Sequence, residues 1–343
     1  MKLALLLSAA CLLLSAALTG LARRLALAGG LIDIPNERSS HTTATPRGGG
    51  VAIVLVSLLG FAALWAVRLL DSRMLLALLG GLPIALVGLW DDRRPVRVRL
   101  RLAVHFCAAV WAVVWLGGMP PLRLGASLIG FGAAGYVLGV LCIVWVLNLF
   151  NFMDGIDGIA AAEGAFVSWS GALLMWLAAS PPQAPAAALV LGASCLGFLL
   201  WNWPPARIFM GDVGSGYLGF ALAVVALGGA RESRVGLLTW LILGGAFFID
   251  ATLTLIVRLL RGERLDQPHR SHTYQRLARR SGSHRRATLS FLGVNVLWLL
   301  PLAGLALAHP PLGGWLVLIA LTPLAGIACI AGAGRPDVGP SRH

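Results

Sequence analysis

Five short stretches of this sequence gather side chains that apolar packing has no use for. Asp91 and Asp92 stand in Gly88-Leu89-Trp90-Asp91-Asp92-Arg93-Arg94, and Asp212 in Phe209-Met210-Gly211-Asp212-Val213-Gly214. Asn148, Asn151, Asp154 and Asp157 recur at steps of three, so on a helix two amides and two carboxylates would fall along one stripe. His269, Arg270 and His272 sit together in an arginine-rich stretch, and Asp33 to His41 precedes Arg47 and three glycines. Carboxylates held close together favour a hard cation such as magnesium, whose ligands are typically one or two carboxylates plus substrate phosphates. The chemistry implied is handling of a diphosphate with a metal ion.

Each stretch also has a plainer reading. Asp91 and Asp92 could be an ordinary charged helix end; as neighbours they point about 100° apart, so two roles are expected rather than one. A helix starting near Gly214 would aim its amides at an anion, which Asp212 would repel unless a cation lay between them. The His-x-x-His spacing can bind zinc, but no thiolate or third ligand accompanies it, and imidazoles among arginines suit phosphate better. Gly48, Gly49 and Gly50 could cradle a phosphate or permit close helix packing. His105, inside an apolar run, is expected to be structural, whereas Asp250, deep in another, requires a partner or a watery cleft.

The elements that must position these groups are membrane helices. Of the 343 residues 58% are hydrophobic and 12% charged, with a mean hydropathy of +0.83, and a span needs roughly 20 apolar residues. Runs at 4–21, 51–70, 74–90, 102–118, 129–150, 159–178, 186–201, 215–229, 236–260, 288–308 and 313–332 predict an all-α polytopic bundle of 10 or 11 spans. With eleven, the 27 basic residues divide 21 to 6 between the two faces. By the positive-inside rule the N-terminus is then periplasmic and the C-terminus cytoplasmic. The polar stretches fall in loops on that cytoplasmic face, at about 23–50, 91–101, 151–158, 203–214 and 261–287.

Neither of the two long loops could bury a core, so one membrane-embedded domain over 1–343 is expected. The net charge of +13 belongs to arginines flanking spans beside anionic lipid, not to a nucleic-acid surface. All five cysteines lie in spans and indicate neither disulfides nor zinc. Arg23 and Arg24 directly after the first run predict a retained span rather than a cleaved signal peptide. A transporter would place its polar groups near the bilayer midplane, and no internal repeat is evident. Lipid-facing and protein-facing apolar surfaces look alike, so a homodimer stays open.

Taken in order, Pro35 to His41, Pro46 to Gly50, Asp91-Asp92, Asn151 to Gly158, Phe209 to Asp212 and His269 to His272 resemble the polyprenyl-phosphate N-acetylhexosamine-1-phosphate transferases, relatives of the muramyl-pentapeptide translocase. The resemblance spans nearly the whole chain. It implies transfer of N-acetylhexosamine-1-phosphate from a UDP-sugar to undecaprenyl phosphate with release of UMP, at the cytoplasmic face of a bacterial inner membrane. Magnesium is implied, with manganese as a substitute. By motif position Asp212 would be the main metal ligand, with Asp154 beside it, and Asp91 and Asp92 the base or the site-organising carboxylates. Asn148, Asn151, Asp154 and Asp157 would lie on the nucleotide side, and Phe209 would stack on uracil. His269, Arg270 and His272 would hold phosphate or sugar, joined by Arg47, Arg97 and Arg101, where the family uses lysine near the last two. The translocase has three adjacent histidines where this chain has His-Arg-Ser-His, which points to O-antigen or other surface polysaccharide rather than a muramyl-pentapeptide substrate. The sugar itself is left open.

Overall fold

A computed structural model describes residues 2–35, 43–181, 183–264 and 269–336. Glu37, Arg38, His41 and Asp266, which belong to the polar stretches above, lie outside the described residues. The helices run α1 (Lys2–Ala28), α2 (Val51–Ala66), α3 (Ser72–Leu79), α4 (Gly81–Asp91), α5 (Val98–Leu116), α6 (Ala134–Met153), α7 (Ile159–Leu177) and α8 (Gln183–Asn202). They continue with α9 (Asp212–Glu232), α10 (Leu237–Leu243), α11 (Gly245–Leu260), α12 (Thr273–Ser281), α13 (His284–Val294), α14 (Leu300–Ala308) and α15 (Gly313–Ala331). Two antiparallel two-stranded ribbons, Ile32–Asp33 with Thr45–Pro46 and Leu122–Leu124 with Ser127–Ile129, complete the described elements.

The protein is an all-α polytopic membrane protein. Among the described residues nine helical stretches are long and apolar enough to cross a bilayer, and α10 with α11, bent by 79°, makes a tenth. The remaining expected span, 51–70, is shorter than its apolar run. Arg68 adopts a left-handed φ of 61°, and Leu69 N–H turns back to Leu64 C=O at 2.7 Å, which ends α2 at 16 residues. Sixteen residues rise about 24 Å, short of a hydrocarbon core of about 30 Å.

Helix α9 is the axis of the bundle. In its most apolar stretch 89% of residues are buried, against 28% for α1 or α5, so α9 meets protein on all sides where the others meet lipid. Small residues allow this approach. A Cβ on Gly214 would lie 2.6 Å from the Gly50 backbone, one on Gly219 would strike the α6 backbone at Val146 and Leu147, and one on Gly88 of α4 would reach the Asp212 carbonyl at 2.5 Å. The glycines that follow Arg47 therefore serve close packing. Gly49 and Gly50 donate their N–H groups to the carbonyls of Phe209 and Met210, both at 2.9 Å. The starts of α2 and α9 and the ends of α4 and α6 are thereby drawn to one place.

Candidate active site

The first helical amides of α9 need acceptors, as at any helix N-terminus. Asp92, from the end of α4, supplies them: Oδ1 accepts from Asp212 N–H at 2.8 Å and Oδ2 from Val213 N–H at 3.1 Å. Gly211 makes room, with φ +77 and no space for a Cβ, which would fall 2.5 Å from the Asp92 carboxylate. The Asp92 side chain is fully buried, and Arg47 Nε lies 2.9 Å from Oδ1. Both its oxygens are engaged in holding two helices together.

Asp91 points elsewhere, as its position on the helix requires. It accepts from Val96 N–H at 2.6 Å and from Arg101 Nη1 at 2.8 Å. Both arginines reach on toward Asp212: Arg47 Nη2 lies 3.5 Å from Oδ1 and Arg101 Nη1 3.7 Å from Oδ2. Asn151 Nδ2 donates to Asp212 Oδ1 at 2.9 Å and to Ser215 Oγ at 3.0 Å. Asp212 is thus held by an amide, two guanidinium groups and the Asp91 carboxyl beside it, and it lines a cavity.

That cavity, of about 230 Å³, is lined by Asp33, Arg47, Asn151, Asp154, Asp157, Asn202, Phe209, Asp212, Gln275 and His284, together with backbone around Gly155 and Gly211. The four polar residues expected on one helical stripe are not on one. α6 ends at Met153, Asp154 takes φ −87 and ψ 50, and Gly158 takes φ +77 before α7 begins. Gly155 must be glycine because a Cβ there would collide with the Tyr274 hydroxyl. Asn148, one turn back, spends its amide on Val144 C=O of its own helix at 2.7 Å and does not reach the cavity.

Asp154 differs from its neighbours. Among the described residues no group bonds its carboxylate, and burial, with Asp212 and Asp92 close by, holds it well above the usual carboxylate range. Asp154 and Asp212 both line the cavity, and one or two carboxylates completed by substrate phosphates are what magnesium usually takes from a protein. Burial acts to lower Arg47, but Asp92, Asp212, Asp33 and Asp154 outweigh it and keep the guanidinium charged.

The histidine segment lies apart. Asp250 of α11 accepts from Thr273 N–H at 2.8 Å and Tyr274 N–H at 2.9 Å, anchoring the start of α12, with His272 Nδ1 at 3.4 Å. His272 is buried and stacks on His269. Burial, then His272 and Arg258, push the His269 imidazole down to about 4, which leaves it neutral near pH 7. His269, Arg270 and His272 are not among the residues lining the cavity, and Arg97 is exposed ahead of α5. From this segment it is Gln275 that lines the cavity, while Tyr274 donates to Phe152 C=O at 3.0 Å beneath it. His105 is buried in α5, with Nδ1 unbonded among the described residues.

His284, Asn202 and Gln275 were not singled out from residue spacing, whereas Asp33, of the fifth polar stretch, does line the cavity. Asn202 stands as one polar residue at the end of an apolar run, yet it accepts from Gly158 N–H and donates to Ile208 C=O, both at 2.9 Å. His284 is screened in sequence by the arginines around it; its signal is Gly282-Ser283 just before it, a helix stop followed by a helix start.

This geometry can be set beside known proteins. The family model described as glycosyl transferase family 4 matches residues 74–230. A probable undecaprenyl-phosphate N-acetylglucosaminyl 1-phosphate transferase of Bacillus subtilis (strain 168) is 30% identical over 281 residues, covering 79% of this chain and 76% of the relative. The chain belongs to glycosyl transferase family 4. A decaprenyl-phosphate N-acetylglucosaminephosphotransferase of Mycobacterium tuberculosis (strain CDC 1551 / Oshkosh) is 32% identical over 308 residues, with 79% and 74% covered. A phospho-N-acetylmuramoyl-pentapeptide-transferase of Halalkalibacterium halodurans is 28% identical over 294 residues, with 80% and 88% covered. As a family 4 member the protein is an enzyme, a phospho-sugar transferase. The stretch that matches the family model carries Asp91, Asp92, Asn151, Asp154, Asp157 and Asp212; Arg47, Gln275 and His284 enter this family 4 cavity from outside it.

Proposed function

We propose that this enzyme transfers N-acetylhexosamine-1-phosphate from a UDP-sugar to undecaprenyl phosphate at the cytoplasmic face of a bacterial inner membrane, releasing UMP and starting a surface polysaccharide. The observation that carries this reading is that neighbouring residues of α6 line two unlike cavities. Asn151 lines the polar one described above. Phe150 lines an apolar cavity of about 320 Å³ between α6, α9 and the bent pair α10–α11, together with Trp145, Leu149, Leu222, Trp240 and Phe248. A polyprenyl tail fits the second and a nucleotide sugar the first, which brings a lipid phosphate to the carboxylate cluster. The arginine bias toward the same face, and relatives named for polyprenyl-phosphate substrates, support this direction.

In the reaction an oxygen of the lipid phosphate attacks the β-phosphorus of the UDP-sugar. The bond from that phosphorus to the bridging oxygen breaks, and the electron pair leaves with UMP. Phosphoryl transfer asks the protein for position and charge neutralisation rather than covalent chemistry. Asp212 and Asp154 would hold magnesium, which when bound would neutralise the diphosphate. Arg47 and Arg101 keep Asp212 in place, and Arg47 presents positive charge at the cavity. Phe209 offers a face for uracil. Asp92, with both oxygens committed to α9, serves as the organising carboxylate of the pair, and Asp91 holds Arg101.

The test is release of UMP from a UDP-N-acetylhexosamine by membranes carrying the enzyme. Release is expected only when both polyprenyl phosphate and magnesium are supplied. Turnover of the same rate without lipid phosphate would refute the reading.

A further inference from the structure

The cavity has two ends. One is the cluster of Asp212, Arg47 and Asn151; the other is built by the Asp154 to Gly158 turn, the 202–206 segment and the start of α13. Asp157 belongs to the second end, where its Oδ2 accepts from Ala206 N–H at 3.0 Å and its Oδ1 lies 3.2 Å from His284 Nδ1.

His284 is fixed there from several directions. Gly282, at φ +62, ends α12, and Ser283 Oγ caps α13 by accepting from Arg286 N–H at 3.3 Å, so His284 is the first residue of α13. One turn on, Thr288 Oγ1 donates to Asp157 C=O at 2.9 Å, so the first turn of α13 grips the same turn of chain twice. Asp157 N–H also lies 3.4 Å from His284 Nδ1. That nitrogen cannot accept from the amide and donate to the carboxylate at once. The nearer, charge-assisted bond to Oδ1 prevails, and it leaves the proton on Nδ1. In that tautomer Nε2 carries the ring's free lone pair and is the acceptor. Nε2 is bonded to nothing among the described residues, and His284 lines the cavity.

We infer that His284, held by Asp157, accepts a hydrogen bond from the nucleoside of the sugar nucleotide, with the uracil N3–H and the ribose hydroxyls as the two groups able to give it. This rests on the proposed function above. It places a specificity-determining residue at the end of the cavity remote from the reacting phosphorus, with Asp157 as the positioning residue behind it. A site that accepts from a nucleoside donor rejects an analogue without that donor, because the acceptor is left unpaired.

The experiment compares binding of UMP, N3-methyl-UMP and 2′-deoxy-UMP to purified enzyme by calorimetry, in wild type, His284→Ala, His284→Gln and Asp157→Asn, beside turnover with UDP-sugar and lipid phosphate. For His284→Ala the expected result is about tenfold weaker UMP binding and about tenfold higher KM for the UDP-sugar. The KM for lipid phosphate should stay unchanged. One analogue, and that one identifies the donor, should bind wild type about tenfold more weakly than UMP but bind His284→Ala as well as UMP does. His284→Gln, which retains an acceptor oxygen, should recover part of the loss, and Asp157→Asn should mimic His284→Ala in part. Equal and additive penalties in every combination would overturn the assignment of His284 alone. Failure of wild type to bind UMP would overturn it together with the reading beneath it.

Discussion

Two buried aspartates in this bundle do the same mechanical work in different surroundings. Asp92 accepts the first two amides of α9, and Asp250 accepts the first two amides of α12. Each ties the end of one helix to the flank of another, and each has nearly no solvent access. Around Asp92, however, Arg47, Asn151, Asp154 and Asp212 converge and a cavity opens, whereas Asp250 meets His272, Thr254 and the packed start of α12. What separates scaffold from chemistry here is therefore not burial or charge but whether a neighbouring carboxylate keeps lone pairs free. Asp154 keeps them beside the Asp92 anchor, and Asp212, though partnered, lines the cavity; no carboxylate does so beside Asp250 among the described residues.

The largest effect is expected at the carboxylates that line the cavity. Asp212→Asn should lower kcat for UMP release by at least about 10²-fold, the scale for losing a charge-stabilising group, with little change in melting temperature. Asp92→Ala should act through structure. It strips two amides and Arg47 of their acceptor, so we expect a stability loss of about 1–3 kcal/mol by denaturation together with about tenfold lower kcat. Asp250→Ala should lose a similar or slightly smaller amount of stability, about 0.5–2 kcal/mol for a lost helix cap, while kcat changes by less than about threefold. Equal kcat losses in the two anchor variants would erase the distinction.

A smaller effect concerns pH. The Asp154 carboxyl is held above the ordinary carboxylate range, so the folded protein binds its proton more tightly than the unfolded chain does. Stability from this group is present below the ordinary aspartate value and is lost as pH rises through the raised one. Metal-free enzyme should therefore melt at lower temperature toward neutral pH, and Asp154→Asn should flatten that slope and melt higher than wild type at pH 7. A parallel slope in the variant would remove Asp154 from this role.

Much of this was legible in the residues, for reasons that differ by place. Membrane helices declare themselves by apolar length alone, so the polytopic class needed no packing information, although α2 proved shorter than its apolar run because the chain turns left-handed at Arg68. Asp91, Asp92, Asn151, Asp154, Asp157 and Asp212 stood out because carboxylates and amides at the mouths of apolar helices need partners. Which partner each takes was not legible. Asp92 meets α9 across 120 residues of chain, and only the glycine contacts at Gly88, Gly211 and Gly214 bring the two together. Spacing put Asp154 and Asp157 on a helical stripe, but the helix ends at Met153; Asn148, inside it, bonds Val144 C=O instead. His284 was hidden among arginines, and its value depends on Asp157, 127 residues away.

In the proposed site Asp212 and Asp154 hold the cation while Asp92 holds the helix. Titration of Mn²⁺ into purified wild type, Asp212→Asn, Asp154→Asn and Asp92→Asn, followed by electron paramagnetic resonance in the presence of UMP, addresses it directly. We expect loss of bound Mn²⁺ in Asp212→Asn and Asp154→Asn and binding within about tenfold of wild type in Asp92→Asn, which keeps a carbonyl acceptor for one of the two amides. Undiminished Mn²⁺ binding in Asp212→Asn or Asp154→Asn would contradict it.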